Sequence, residues 1–265
     1  MSDTDGGSRL SLLLLTEDSG RDAEEAIREL LERLFRRVDP HASLVEEHWE
    51  PALDEHRAAV RGNAWKDASR RDLVSLRQYI AAKLVEEGGF VLFHVDGDRI
   101  YRERASSENV AKFDEIIRRA VRIILESPPL TRRERGSVRT DAEVNALLAK
   151  LIEVVPFYCV EAWYFQNTEK ARELCQKNPK CRGECGDKLD RWAGDRKLLD
   201  ELTKTKRELC FGAAHNLALA RGLPLGEVLD ARKSLSDLLT KLRETPGLHD
   251  ALRAQRPEWA RYSSE

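Results

Sequence analysis

Long apolar runs are missing from this sequence, and so is an excess of charge of either sign. No stretch approaches the length of a bilayer-spanning helix, so no membrane span is expected. Leu12, Leu13, Leu14 and Leu15 follow an acidic opening and form a run too short for a signal-peptide core, so a cytoplasmic location is expected. Lys and Arg number 45 against 47 Asp and Glu, a net charge of −2. That balance excludes a global basic surface, and nucleic-acid contact would need a local cluster of Arg and Lys. Cysteine is sparse, five in 265 residues, and in a reducing compartment these are thiols or metal ligands rather than disulfides. There is no glycine-rich phosphate loop of the P-loop type, no Ser or Cys nucleophile motif and no internal repeat. If ATP enters the system, a partner should bind it.

What is present points to an α/β fold. The chain is 41% hydrophobic and 35% charged, with a mean hydropathy of −0.55, enough for a substantial core under well-solvated helix faces. Residues 1–8 read as a disordered leader. The run at residues 10–16 reads as a central strand. A helix follows in which Ala23, Ala26, Ile27, Leu30, Leu31, Leu34, Phe35 and Val38 repeat with helical period until Asp39-Pro40 stops it. Residues 43–50 are a more polar second strand and 51–65 a connection. A helix is expected over 70–87, a fully apolar strand over 90–95 and a helix over 109–126. Thr140 with Glu143 resembles a capping box for a short helix, and 152–160 reads as a strand that Pro156 confines to an edge or a bulge. Strand–helix alternation predicts a parallel sheet flanked by helices. Residues 166–265 read as a mainly helical region packed on the first, with helices around 161–175, 196–221, 225–244 and 247–255.

The chemistry concentrates at strand ends. Phe90-Val91-Leu92-Phe93-His94-Val95 stops abruptly in Asp96-Gly97-Asp98, and the first strand stops in Glu17. Parallel sheets present ligands at the carboxyl ends of their strands, and in extended geometry residues i and i+2 face one way. Glu17, Asp96 and Asp98 can therefore converge, and mutually repelling acids are costly to hold together without a hard cation such as Mg2+ or Mn2+. The competing reading makes Asp-Gly a hairpin turn, with Asp98-Arg99-Ile100-Tyr101-Arg102 returning as a strand. A receiver-like phosphoacceptor site, with Glu17-Asp18 as acidic pair and Asp96 as acceptor, is a further possibility.

A strand ending in Glu, a helix, then a strand ending in Asp-x-Asp before another helix resembles the TOPRIM domain of topoisomerases, primases and the OLD-family nucleases of bacterial defence systems. Val160-Glu161-Ala162-Trp163-Tyr164-Phe165 is similar to the Glu-Ala-Trp signature of a bacterial TOPRIM-like group often encoded beside ATPases. The resemblance spans residues 11–165 and implies a TOPRIM-like domain over 9–165 with metal-dependent phosphodiester chemistry. Glu17 would be general acid/base or metal ligand, and Asp96 and Asp98 metal ligands. Asp22 would match the second acid of the nuclease motif, and Glu161 the glutamate of Glu-Ala-Trp. The family's glycine after the first Glu is Asp18 here, with a glycine only at Gly20, and Asp22 lies one residue farther on.

Other groups carry alternatives. Arg99 and Arg102, beside the acids, and Arg132, Arg133 and Arg135, in a Pro/Gly-bounded loop, could hold a phosphate backbone or simply be solvated. Cys175, Cys181 and Cys185, with Cys210 or His215, could ligate structural Zn2+, although no Cys-x-x-Cys knuckle is present and free thiols are the competing reading. Glu161 lies among Phe157, Tyr158, Trp163, Tyr164 and Phe165, which could be core around a strand-to-helix corner. The expected function is a Mg2+- or Mn2+-dependent nuclease effector on DNA or RNA, controlled by an ATPase partner. The alternative is a catalytically inactive or repurposed TOPRIM-like module that docks on an ATPase or nucleic acid. Leu235, Leu238, Leu239 and Leu242 of the helical region could supply a docking or homodimer surface, with ordinary packing inside the chain as the competing reading.

Overall fold

Four consecutive leucines place the first strand in the middle of the molecule. In β1 (Ser11–Thr16), Leu12, Leu13, Leu14 and Leu15 are all buried, which happens only where a sheet is covered on both faces. The computed structural model describes residues 10–18, 20–99, 107–126, 139–178, 185–196, 213–231 and 234–257. The leader at 1–8, together with Arg102, Arg132, Arg133, Arg135, Cys181 and Cys210, lies outside the described residues.

The sheet is wholly parallel. β2 (Trp49–Glu50), β1, β3 (Gly89–His94) and β4 (Leu151–Val154) lie in that spatial order. β1 pairs with β3 along its whole length, from Ser11 opposite Gly89 to Thr16 opposite His94. The strand expected over 43–50 is reduced to two residues. Glu46–His48 instead forms a 3-10 turn, with His48 Nδ1 accepting from the Val45 N–H at 3.0 Å and Glu46 accepting from Arg28 of the first helix at 2.7 Å. β4 ends at Val154, two residues before Pro156, whose missing N–H could not extend the ladder.

Alternation along β1 divides the core in two. Leu12 and Leu14 face α1 (Arg21–Val38), whose Ala26, Ile27, Leu30, Leu31, Leu34 and Phe35 form one buried stripe. Leu13 and Leu15 face the other layer. That layer comprises α2 (Asp54–Val60), α3 (Asp72–Val85), α4 (Glu108–Phe113), α5 (Arg119–Glu126) and α6 (Asp141–Ala149). A single π turn, Asp114–Arg118, joins α4 to α5, and Thr140 and Glu143 form the capping box of α6. The segment expected as a plain connection holds α2 and a 3-10 turn, Arg61–Lys66.

The helices after β4 cover the α1 face. Among the described residues they are α7 (Glu161–Tyr164), α8 (Thr168–Lys177), α9 (Cys185–Gly194), α10 (Asn216–Arg221), α11 (Leu225–Asp230), α12 (Ser234–Glu244) and α13 (Leu248–Ala254). Their apolar residues join one cluster with α1 and the sheet, so the core runs on past residue 165. Two expected long helices are each broken. Asn167 caps α8 by accepting from the Lys170 N–H at 3.2 Å, and residues 225–244 divide into α11 and α12. Trp163 donates to Ser234 Oγ at 2.9 Å, tying α7 to α12. Arg256 donates to both carboxylate oxygens of Asp39, at 3.0 and 2.8 Å, fastening the chain after α13 to the end of α1. Among the described residues no helix is long and apolar enough to cross a membrane.

Candidate functional site

β1 and β3 are neighbours whose following helices leave toward opposite faces, α1 to one layer and α4 to the other. Their carboxyl ends therefore open a crevice at the topological switch point, the usual ligand position in an open parallel sheet. Glu17 stands there at the end of β1 and Asp96 two residues beyond β3.

Glu17 is buried, and both its carboxylate oxygens are engaged. Oε1 accepts from the backbone N–H of Asp96 at 2.5 Å and Oε2 from the indole N–H of Trp65 at 3.3 Å. Burial pushes its carboxyl up and Asp18 adds to this, while those two hydrogen bonds and Lys66 oppose it. The Asp96 side chain keeps 19% of its surface, so it reaches the crevice. Its carboxyl is pushed up to about 9, first by burial and then by the charges of Asp18, Glu17 and Glu161, against one hydrogen bond from the Val160 N–H at 3.1 Å. Glu161, buried at the first position of α7, belongs to this group. Behind it, His94 Nδ1 shares a hydrogen bond with Thr16 Oγ1 at 2.9 Å, and His94 Nε2 lies 3.7 Å from Asp96 Oδ1.

The i, i+2 expectation for Asp96 and Asp98 does not describe this loop. Asp98 has a left-handed φ of 47°, and its carboxylate accepts from the Asn109 amide at 2.8 Å. The same amide donates to the Asp96 carbonyl at 2.6 Å, and Ser107 Oγ to the Gly97 carbonyl at 2.6 Å. Asp98 and Arg99 donate their backbone N–H groups to the Tyr158 and Phe157 carbonyls, so as far as Arg99 the loop pairs with the segment after β4. The rest of the return strand in the hairpin reading lies outside the described residues. A Cβ on Gly97 would stand 2.2 Å from the Pro156 carbonyl oxygen and 2.3 Å from that of Phe157. Only glycine fits there.

The remaining predicted residues are scattered. Asp22 is exposed in the first turn of α1. Arg99 is half-buried with its guanidinium 5.7 Å from the centre of the Phe157 ring. Cys175 and Cys185 are buried in the core on α8 and α9. Three features of the crevice were not among the residues predicted for the metal site, although Asp18 figured in the receiver-like reading. Asp18 acts on Asp96 more strongly than Glu17 does. Asn109 clasps the acidic loop. Tyr164 is fully buried, its hydroxyl makes no hydrogen bond, and burial with the charges of Asp18, Glu161 and Asp96 raises its phenol well above the usual range. The turn at Arg61–Lys66 is also part of the site. Gly62 donates to the Glu17 carbonyl at 2.8 Å and Trp65 to its carboxylate, and the left-handed pair Gly62 (φ 58°) and Asn63 (φ 69°) makes the turn tight enough to do both. The Gly-Asn dipeptide was the available signal.

The donor chemistry suits a hard divalent cation, since carboxylates from three segments press on one another and a buried hydroxyl beside them is unsatisfied. Among the described residues, however, no three Asp, Glu, His or Cys side chains are grouped closely enough to hold an ion as they stand. Ligation requires side-chain rearrangement, starting from the engaged oxygens of Glu17. No family model matches the chain, and neither a curated protein nor a solved structure matches it.

Proposed function

We propose that the crevice between β1 and β3 hydrolyses phosphodiester bonds of DNA or RNA with Mg2+ or Mn2+, and that the chain is a TOPRIM-like nuclease effector of a bacterial defence system restrained by an ATPase partner. The family resemblance supports the setting and the partner. The observation that supports the chemistry is the elevated carboxyl of Asp96, brought about by burial beside Asp18, Glu17 and Glu161. Such shifts concentrate where a site uses them. Asp18, Asp96 and Glu161, with Glu17, would hold the cation, which polarises the phosphodiester and stabilises the leaving oxygen. Glu17 orients the Asp96 loop through its backbone N–H. Asp96, whose carboxyl is raised in the metal-free protein, would give up its proton as the cation binds, and its carboxylate would then join the ligand set. Burial against Trp65, Phe93 and Phe113 shields the base of the crevice from water.

The purified chain with Mn2+ or Mg2+, alone and with its genomic neighbour, should cut plasmid DNA or RNA. The double variant Asp96→Asn, Glu161→Gln should not. Cutting that survives both substitutions removes the assignment. One observation favours the alternative of an inactive docking module, namely that both Glu17 oxygens serve as a structural clasp. That reading requires a stable complex with the neighbour and no Mn2+ binding by the isolated chain.

A further inference from the structure

β2 pairs with β1 only through Leu12 and Leu13, and Pro51 then takes the chain away. Among the described residues no strand flanks Leu14, Leu15 and Thr16 on that side, and a cavity of about 120 Å3 opens against them. Its rim carries Asp18, Glu24, Arg57 and Arg61, and it shares Leu14, Glu24 and Arg57 with a larger cleft of about 750 Å3. The volume is that of about four waters, room for one phosphate group.

The two arginines differ in what holds them. Arg57 lies in the last turn of α2, its Nη2 lies 3.8 Å from Glu24 Oε1, and its Nε is buried with no hydrogen-bond partner. Arg61 begins the turn that is pinned to Glu17, so the residue that clasps Asp96 also sets the position of Arg61. A guanidinium presents a planar fork of donors that matches phosphate oxygens, and the loose contact to Glu24 leaves most of the Arg57 fork for a ligand.

We propose that this cavity is an anion subsite that grips one phosphate of a phosphate ester between Arg57 and Arg61, beside the acidic crevice. Its place next to a scissile bond rests on the phosphodiesterase reading, while its affinity for phosphate does not. Asp18 and Glu24 oppose an anion, and Glu24 competes with it for Arg57. Removing the Glu24 charge should therefore tighten binding, a change of opposite sign to that of losing an arginine.

The test uses the whole chain in chelator-treated buffer, titrated by calorimetry with inorganic phosphate, a 5′-mononucleotide and a short single-stranded oligonucleotide. Saturable binding is expected, weakened about tenfold or more in Arg57→Gln, Arg61→Gln and tightened in Glu24→Gln. Far-ultraviolet circular dichroism checks that the variants are folded. An oligonucleotide bound more tightly than the mononucleotide identifies a nucleic-acid backbone as the source of the phosphate, and equal affinities identify a single phosphate ester. Absence of saturable binding by both the wild type and Glu24→Gln overturns the proposal, as does binding that the arginine substitutions leave unchanged. Asp96→Asn, Glu161→Gln keeps the two proposals apart. Phosphate binding by a chain that never cleaves leaves this subsite standing without the hydrolase, and cleavage without phosphate binding does the reverse.

Discussion

The carboxylate of Glu17 accepts a hydrogen bond from the backbone N–H of Asp96 at 2.5 Å, joining positions 79 residues apart. Together with the Trp65 indole on its other oxygen, this bond fixes the end of β1 to the loop after β3 and to the turn after α2. Glu17→Ala leaves two N–H donors without acceptors and should cost about 2–4 kcal/mol in urea denaturation. Glu17→Gln keeps an acceptor for Asp96 and should cost less than half as much. A Glu17→Ala variant as stable as wild type would mean that the clasp contributes nothing.

Asp96 should make the protein less stable as pH rises. Its carboxyl titrates near 3.8 when unfolded and about 9 when folded, so between those values the folded chain binds the extra proton. The favourable contribution is complete below the lower value and is lost as pH climbs toward the upper one. Asp96→Asn should remove this dependence and raise stability at about pH 8 by at least about 1 kcal/mol relative to wild type, with little difference at about pH 4. Denaturant midpoints across that range measure it, and parallel curves for the two proteins would contradict it.

Gly97→Ala should lower stability by about 3 kcal/mol, because the new methyl meets two backbone carbonyl oxygens that have no free rotation. Thermal unfolding is sufficient to read this, and a melting temperature within error of wild type would show that the loop has room to yield.

Tyr164→Phe separates stability from activity. The hydroxyl is buried without a partner, so its removal should leave stability unchanged or raise it by about 1 kcal/mol. If the crevice hydrolyses phosphodiesters, the same substitution should reduce cleavage, since the phenol stands among Asp18, Glu161 and Asp96. Reduced stability with full activity would make Tyr164 an ordinary core residue.

Elements with several turns or several buried positions could be read from the sequence. The stripe of α1, the apolar runs of β1 and β3 and the Thr140–Glu143 box each carry a period or a cap that packing did not override. β2 could not be read at its true length, because two residues have no period and the rest of the segment is drawn off by Arg28 and His48. The break at Phe165–Asn167 was hidden because every residue from Glu161 to Thr168 is buried, which leaves no polar face to mark a helix end. At the site, the ends of β1 and β3 were legible from the strands, and Glu17 and Asp96 followed from them. The placement of Asp98 was not. Asp98 was placed by strand alternation, but its left-handed backbone abandons extended geometry just where that rule was applied. Asp18 was visible as a departure from a family pattern and as half of the acidic pair in the receiver-like reading, and the Arg61–Lys66 turn only as a Gly-Asn pair in a connection.

The most direct measurement is Mn2+ binding to the whole chain by calorimetry at about pH 7, repeated in buffers of different ionisation heat so that proton release is counted. Expected is one-site binding with release of about one proton, supplied by Asp96, and loss of both the binding and the proton in Asp96→Asn, Glu161→Gln. Binding that survives those two substitutions, or no binding by the wild-type chain, would contradict a cation site in the β1–β3 crevice.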